Sequence, residues 1–303
     1  MPLPTIVITR GPAIVTFNSQ VFYTEAPIKA AIDWELFDVN SGQYGVVSRR
    51  VKRRMAKIMF TPVGKWFTSL WPYASLAQTL GATIMPATQK DLVIQPLDTT
   101  QKMWTFYGAG ITKAPTIRLS AAKQIYGEVE FTALGKYATA PGTADSLCKR
   151  ETNTFNDTSF ASADVQTQPY VGTLGATAIE TKEGWELSAD WKLDEVTSDT
   201  FGVVNFTMEE ISAKVSFTPR SLSEDDIVGL LNGGSFDKAI GGAIDAGADL
   251  VITGTGVSCT LYNLVMEKLD PIWGIKEDRF RSIELVTRRK FTTGRPNVPY
   301  LIA

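Results

Sequence analysis

The sequence predicts a mainly β protein built as two tandem homologous domains, residues 1–150 and 151–303, each a β-sandwich or barrel with one flanking helix. The first observation behind this is an internal repeat. Asp33-Trp34-Glu35-Leu36 returns as Asp190-Trp191-Lys192-Leu193, Gly45-Val46-Val47 as Gly202-Val203-Val204, and Phe60-Thr61-Pro62 as Phe217-Thr218-Pro219. All share an offset of 157 positions without a gap from 33 to 62, where 13 of 30 positions are identical. The match continues with small slips: Asp91-Leu92-Val93-Ile94 returns as Asp249-Leu250-Val251-Ile252, and Pro115 and Glu128 return as Pro271 and Glu284. The second observation is a predominance of short runs of β-branched and aromatic residues between turn signals. The third is length: 303 residues suit two domains, each able to bury its own core.

Taken in order, Thr5-Ile6-Val7-Ile8-Thr9 is short and β-branched, a strand. The segments 58–60, 92–94 and 104–107 cluster or alternate as half-buried strands do. Tyr126-Gly127-Glu128-Val129-Glu130-Phe131 alternates cleanly, which puts Val129 and Phe131 on one face and the two glutamates on the other. In the second copy, 186–193, 214–217, 250–252, 260–266 and 282–287 read the same way. Asn40-Ser41-Gly42, Pro141-Gly142 and Gly254-Thr255-Gly256 mark turns. One helix is expected in each copy after the Phe-Thr-Pro turn. The first covers 68–80 and ends at Gly81. The second starts at Ser223 as N-cap, with Glu224, Asp225 and Asp226 at its positive end, and stops at Asn232-Gly233-Gly234. A linker is expected near residues 138–170, rich in Ala, Thr, Ser, Gly and Asn.

Composition narrows the chemistry. Formal charge is −2, so no global field draws the chain to DNA or to an anionic membrane. No apolar run reaches the ~18 residues that cross a bilayer, and Met1-Pro2-Leu3-Pro4 lacks the features of a secretion signal, so no membrane anchor is expected. Histidine is absent, which removes the commonest general base and metal ligand. Cys148 and Cys259 fall at non-equivalent places in the two copies and read as free thiols. The glycines between 229 and 247 do not form a phosphate-binding loop, and the acidic cluster at 224–226 reads as helix-end electrostatics. No catalytic, cofactor-binding or metal-binding set emerges, so an enzyme is not expected. Trp34 and Trp191, at equivalent positions, read as core or interface anchors.

One motif stands out. Arg49-Arg50-Val51-Lys52-Arg53-Arg54 is strongly basic, and its counterpart in the second copy is Phe206-Thr207-Met208-Glu209-Glu210-Ile211. Lys52 and Arg53 thus align with Glu209 and Glu210. Cations in one copy where the other has anions suit attraction between unlike copies. Arg49, Arg50, Lys52, Arg53, Arg54, Glu209 and Glu210 are therefore candidate assembly contacts; a solvated hairpin arm and a nucleic-acid contact are the alternatives.

The order of signals resembles the tail tube (major tail) proteins of long-tailed bacteriophages, in the variant with two such domains in one chain. The features that carry the likeness are the strand leading to Phe-Thr-Pro, a helix ending in Gly, a strand like 91–94, and the turn Thr99-Thr100-Gln101. They continue with the aromatic strand Trp104-Thr105-Phe106-Tyr107, Ala114-Pro115-Thr116-Ile117, and a last strand over 127–131. The resemblance runs from about residue 16 to 135 and from 171 to 291. It implies a sandwich or barrel with a helix on its flank. Six such domains form a ring, and the rings stack into a tube that holds the tape-measure protein and later passes DNA. With two domains per chain, three chains would close a ring of true three-fold and approximate six-fold symmetry. Tail terminator and tail-tip proteins would be further partners, and the place of action would be the virion tail, after assembly in the host cytoplasm. Another virion shell or decoration protein, and a tandem β-sandwich binding module or enzyme, are the competing readings.

Overall fold

Strand-forming sequence becomes strand throughout the regular structure of the computed structural model, which describes residues 5–7, 9, 11–18, 20–25, 27–63, 90–120, 124–135, 146–155, 170–198, 202–220, 247–254, 257–271, 280–287 and 300–302. The chain begins with β1 (Thr5–Val7), β2 (Ala13–Phe17), β3 (Gln20–Thr24), β4 (Lys29–Ser41), β5 (Gly45–Phe60) and β6 (Pro62–Val63). Next come β7 (Lys90–Pro96), β8 (Met103–Lys113), β9 (Ile117–Leu119), β10 (Gln124–Tyr126), β11 (Val129–Ala133) and β12 (Cys148–Glu151). The later strands are β13 (Val171–Leu174), β14 (Thr177–Ile179), β15 (Thr181–Ser198) and β16 (Gly202–Pro219). The last are β17 (Ala248–Gly254), β18 (Val257–Pro271), β19 (Phe280–Val286) and β20 (Tyr300–Ile302). The two expected helices, 68–80 and 223–232, lie outside the described residues.

The strands form two antiparallel ten-stranded sheets. One runs β1-β4-β5-β11-β8-β7-β2-β3-β6 with β12 also on β8; the other runs β10-β9-β15-β16-β19-β18-β17-β13-β14 with β20 also on β18. From β4 and from β15 onward the two orders agree strand for strand as far as β3 and β14. The register agrees as well. Bulges interrupt the β4–β5 ladder after Glu35 and Val39, and the β15–β16 ladder after Lys192 and Val196, each 157 positions on. The pairing of β11 with β5 sets Glu130 opposite Met59, as β19 sets Glu284 opposite Ser216. The structural counterpart of Glu284 is therefore Glu130, not Glu128; the loops between these strands differ in length and shift the alignment.

Each sheet curls. Phe60-Thr61-Pro62, expected to be a turn, is instead a seam: β6 follows directly on β5 and pairs with β3, with Thr24 opposite Pro62. The second sheet sets Thr181 opposite Pro219 in the same way. Proline has no N–H to give, but at a seam it suffices that carbonyls accept, and Glu25 N–H donates to Thr61 O at 3.1 Å. The long strands β8 and β18 bend at a bulge so that one end pairs with β7 or β17 and the other with β11 or β19. The bend needs a left-handed residue: Gly108 (φ 60°) in β8 and Asn263 (φ 49°) in β18, the latter steadied by its N–H donating to Asp249 Oδ1 at 2.8 Å.

The single strand expected over 126–131 is split: Tyr126 ends β10 on the second sheet, residues 127–128 lie outside any strand, and only within β11 does the alternation hold, with Val129 and Phe131 buried while Glu130 faces Lys57 at 3.4 Å. Phe131 meets Phe17 edge-on at 5.1 Å and stacks on Phe60 at 5.7 Å. In the second sheet the fully buried Trp185 lies 4.6 Å from Phe217, ring to ring. The expected linker is partly structural: within it, β12 pairs with β8 just as β20 pairs with β18, so residues 148–151 belong to the first sheet.

The two sheets are joined by a strand that leaves one for the other. The hairpin β9–β10 belongs to the first half by sequence, yet β9 pairs with β15: Ile117 opposite Leu187 and Leu119 opposite Trp185. Ile117 and Leu119 are buried, each side chain stabilising the junction by roughly 1.5–3 kcal/mol. On the first sheet the same edge is taken by β1, with Ile6 opposite Ala30 and Val7 opposite Lys29. The β9 contact demands a glycine at 184, where φ is 92° and a Cβ would lie 2.1 Å from Leu119 O.

Gly184→Ala should therefore loosen the hairpin from the second sheet. Urea titration should show a loss of at least about 1–3 kcal/mol, the cost of holding a non-glycine residue in a forbidden backbone region. An unchanged midpoint would mean that β9 does not sit against Gly184.

Candidate assembly surface

Beyond the closed part of each sheet, a two-stranded ribbon continues outward: residues 33–54 of β4 and β5 form one arm, residues 190–211 of β15 and β16 the other. Side chains alternate across a ribbon, so each arm has a face continuous with its own core and a back face. On the core-side face of the first arm, Trp34 lies opposite Arg54 and Leu36 opposite Val51; on the second, Trp191 lies opposite Ile211 and Leu193 opposite Met208.

These equivalent faces differ in burial. Val51 is 55% exposed where its counterpart Met208 is 1% exposed, and Val46 is 50% exposed where Val203 is 2% exposed. Phe206 is buried as well, at the position of exposed Arg49. The first arm adjoins the second here with its back. Arg53, on that back face, donates to Glu195 of β15, and a Cβ on Gly202 would come within 3.2 Å of Lys52 O. Met55, two residues on from Arg53, belongs to the same buried cluster as Val203, Phe206, Met208 and Ile211. The second arm is thus covered on its core-side face along β16, at Val203, Phe206, Met208 and Ile211, and half-covered at Trp191 and Leu193, while the first keeps Trp34, Leu36, Val46 and Val51 in solvent.

The basic run lies within strand β5, and its members have separate fates. Arg49 Nε donates to Asp38 Oδ1 at 3.0 Å and Lys52 Nζ to Glu35 Oε1 at 2.7 Å, both across the same ribbon. The Lys52 ammonium holds the Glu35 carboxyl below its ordinary range. Arg50 is exposed opposite Phe37, and Arg54 is half-buried opposite Trp34. Arg53 reaches Glu195 in the second half. Glu209 pairs with Lys192 at 3.1 Å, which raises the lysine, and Glu210 is exposed. Lys52 and Arg53 therefore do not meet Glu209 and Glu210 within the chain. The acidic partner, Glu195, was missed; its only signal was an acid on the strand facing Glu209 and Glu210.

Trp34 is 60% exposed and so is no core residue, whereas Trp191 is half-buried and donates from Nε1 to Tyr300 Oη at 3.0 Å. Both cysteines are free thiols. A small apolar cavity between β9 and the second sheet is lined by Ile117, Leu187, Leu261, Cys259 and Tyr300 among others. Burial pushes the Cys259 thiol up to about 12 and raises the Tyr300 phenol, so neither ionises at neutral pH. Among the described residues no three His, Cys, Asp or Glu side chains are grouped to hold a metal, and no helix is long and apolar enough to cross a membrane. No protein-family model and no curated protein matches the chain.

The Arg53–Glu195 pair is partly shielded, whereas Lys52–Glu35 is open to water. A double-mutant cycle with Arg53→Ala and Glu195→Ala should give a coupling of about 1 kcal/mol or more, and the Lys52/Glu35 cycle about 0–0.5 kcal/mol. Equal couplings would show that the arms do not shield the first pair.

Proposed function

We propose that this chain is a structural virion protein that joins head to tail into rings, which stack as the hollow tail tube of a long-tailed bacteriophage. One observation carries this reading: the core-side face of the arm, covered inside the chain at the second half, is bare at the first. The cover for the second arm is the back of the first. The matching cover for the first arm is then the back of a second arm, which only another copy can supply.

Such a contact is heterologous, and repeated around an axis it closes a ring. The two sheets, alike in strand order, are read as tandem copies of one domain with a flanking helix each. Two domains per chain and six per ring give three chains, true three-fold and approximate six-fold symmetry. Charge suits the junction. Within the chain, Arg53 meets Glu195. Between chains, their counterparts are Glu210 and Asp38, and Asp38 already carries Arg49 beside it. The pair is reversed in sign: Glu210 of one copy against Arg49 of the next. The rings would enclose the tape-measure protein and then DNA, and would meet tail terminator and tail-tip proteins in the virion tail, after assembly in the host cytoplasm. No enzymatic role is part of the reading. A shell or decoration protein would use the same arms without a lumen.

Electron microscopy of the purified protein should show rings or tubes with a lumen, and native mass spectrometry of a single ring should give about three chain masses of 33.2 kDa. Six chains per ring, or a monomer at every concentration, contradicts the reading. Arg49→Glu should weaken assembly at low salt at least ten-fold, and adding Glu210→Arg should restore it.

A further inference from the structure

The contact between the two arms can be carried over, position by position, to the faces it leaves open. On the covered face of the second arm stand Val203, Phe206, Met208 and Ile211, all buried. At the offset of 157 the same places on the first arm are Val46, Arg49, Val51 and Arg54. The covering back contributes Arg53, which donates to Glu195, and Met55, which is buried in one cluster with those four. The same places on the back of the second arm are Glu210 and Ser212, and the place of Glu195 is taken by Asp38. The ladders keep these facings alike: Arg53 pairs with Glu35 as Glu210 pairs with Lys192, and Met55 with Asp33 as Ser212 with Asp190.

The backbone course is therefore shared and the chemistry is not. Two of the four apolar side chains on the covered face become arginines on the open one, and the methionine of the covering back becomes a serine. What replaces them is charge. Asp38 and Arg49 already pair at 3.0 Å on the open front, and Glu210 stands exposed on the open back. Burial of Phe206, Ile211 and Met55 is a contact that added salt does not screen. Exposed charges are screened beyond a Debye length, about 8 Å at 0.15 M salt.

We propose that the front of the first arm takes the back of another copy's second arm through an ionic seam, Asp38, Arg49 and Glu210, so that salt parts the chains while the apolar junction keeps each chain whole. The direction of this contact rests on the ring reading; its chemistry rests on the substitutions between the two arms. The chain is then the permanent unit of the assembly, and the seam is where it opens and closes.

Sedimentation velocity of the whole chain in sodium chloride tests the seam. Between ~0.05 and ~0.5 M salt the association constant should fall at least about ten-fold. The released species should be the folded chain, with an unchanged circular dichroism spectrum. Arg49→Phe, Glu210→Arg and Ser212→Met together give the seam the residues of the junction within the chain. That variant should keep the spectrum of the wild type, associate at both salts, and change less than about two-fold between them. A wild-type association that ignores salt overturns the proposal whatever the variant does. So does a folded variant that loses association as steeply as the wild type. Salt-labile association that builds no hollow ring keeps the seam and rejects the tube reading; hollow rings indifferent to salt do the reverse. A monomer at every salt overturns both.

Discussion

A strand at the margin of a sheet carries a row of N–H and C=O groups that must be paired, covered or left in water, and in this chain the margin of the second sheet is paired by the first half. Residues 117–119 carry Ile117 and Leu119 into the second core, and the backbone at Gly184 is shaped to receive them. This single exchange turns two sheets into one buried cluster. It also fixes the geometry of the rest. With β9 tied to β15, the two ribbons emerge side by side, and the back of one falls on the front of the other.

From that placement follows an asymmetry that duplication alone does not produce. Two sheets of like strand order present like surfaces, but once one arm lies against the other, one front face and one back face are used. The remaining front, with Trp34, Leu36 and Val51, and the remaining back, with Glu210, are left. Exposed apolar side chains on an isolated ribbon contribute nothing to its own stability, because no third layer lies against them. Their arrangement matches a covered face elsewhere in the chain, which gives them a defined partner shape. In the proposed assembly, a surface of this kind would stack copies in one direction.

Much of this was legible in the sequence, and the limits have physical causes. Strand positions followed from period-two alternation, as at 129–131, and the shared strand order of the two sheets from a repeat at constant offset, because both are local or self-referential signals. The destination of β9 was not legible: Pro-Thr-Ile-Arg-Leu says strand without saying which edge it meets. Phe-Thr-Pro looked like a turn because proline is read as a breaker, whereas at a seam only its carbonyl side is used. Within the chain, the basic run does not pair with the acids aligned to it. Comparing Lys52 with Glu209 sets like faces against each other, but the faces in contact are a back and a front, so Arg53 meets Glu195 instead. Trp34 and Trp191 are identical in sequence and unlike in exposure, a difference set by what lies across the ribbon.

Hydroxyl-radical footprinting of the protein from dilute to concentrated solution, read by mass spectrometry at Trp34 and Trp191, tests the proposed covering of the first arm most directly. Covering by a second copy predicts that Trp34 reacts fast in the dilute protein and falls to the rate of Trp191 in the assembled form, while Trp191 changes little. A Trp34 rate that stays high in the assembled form would contradict it, because the bare face of the first arm would then be no part of the contact.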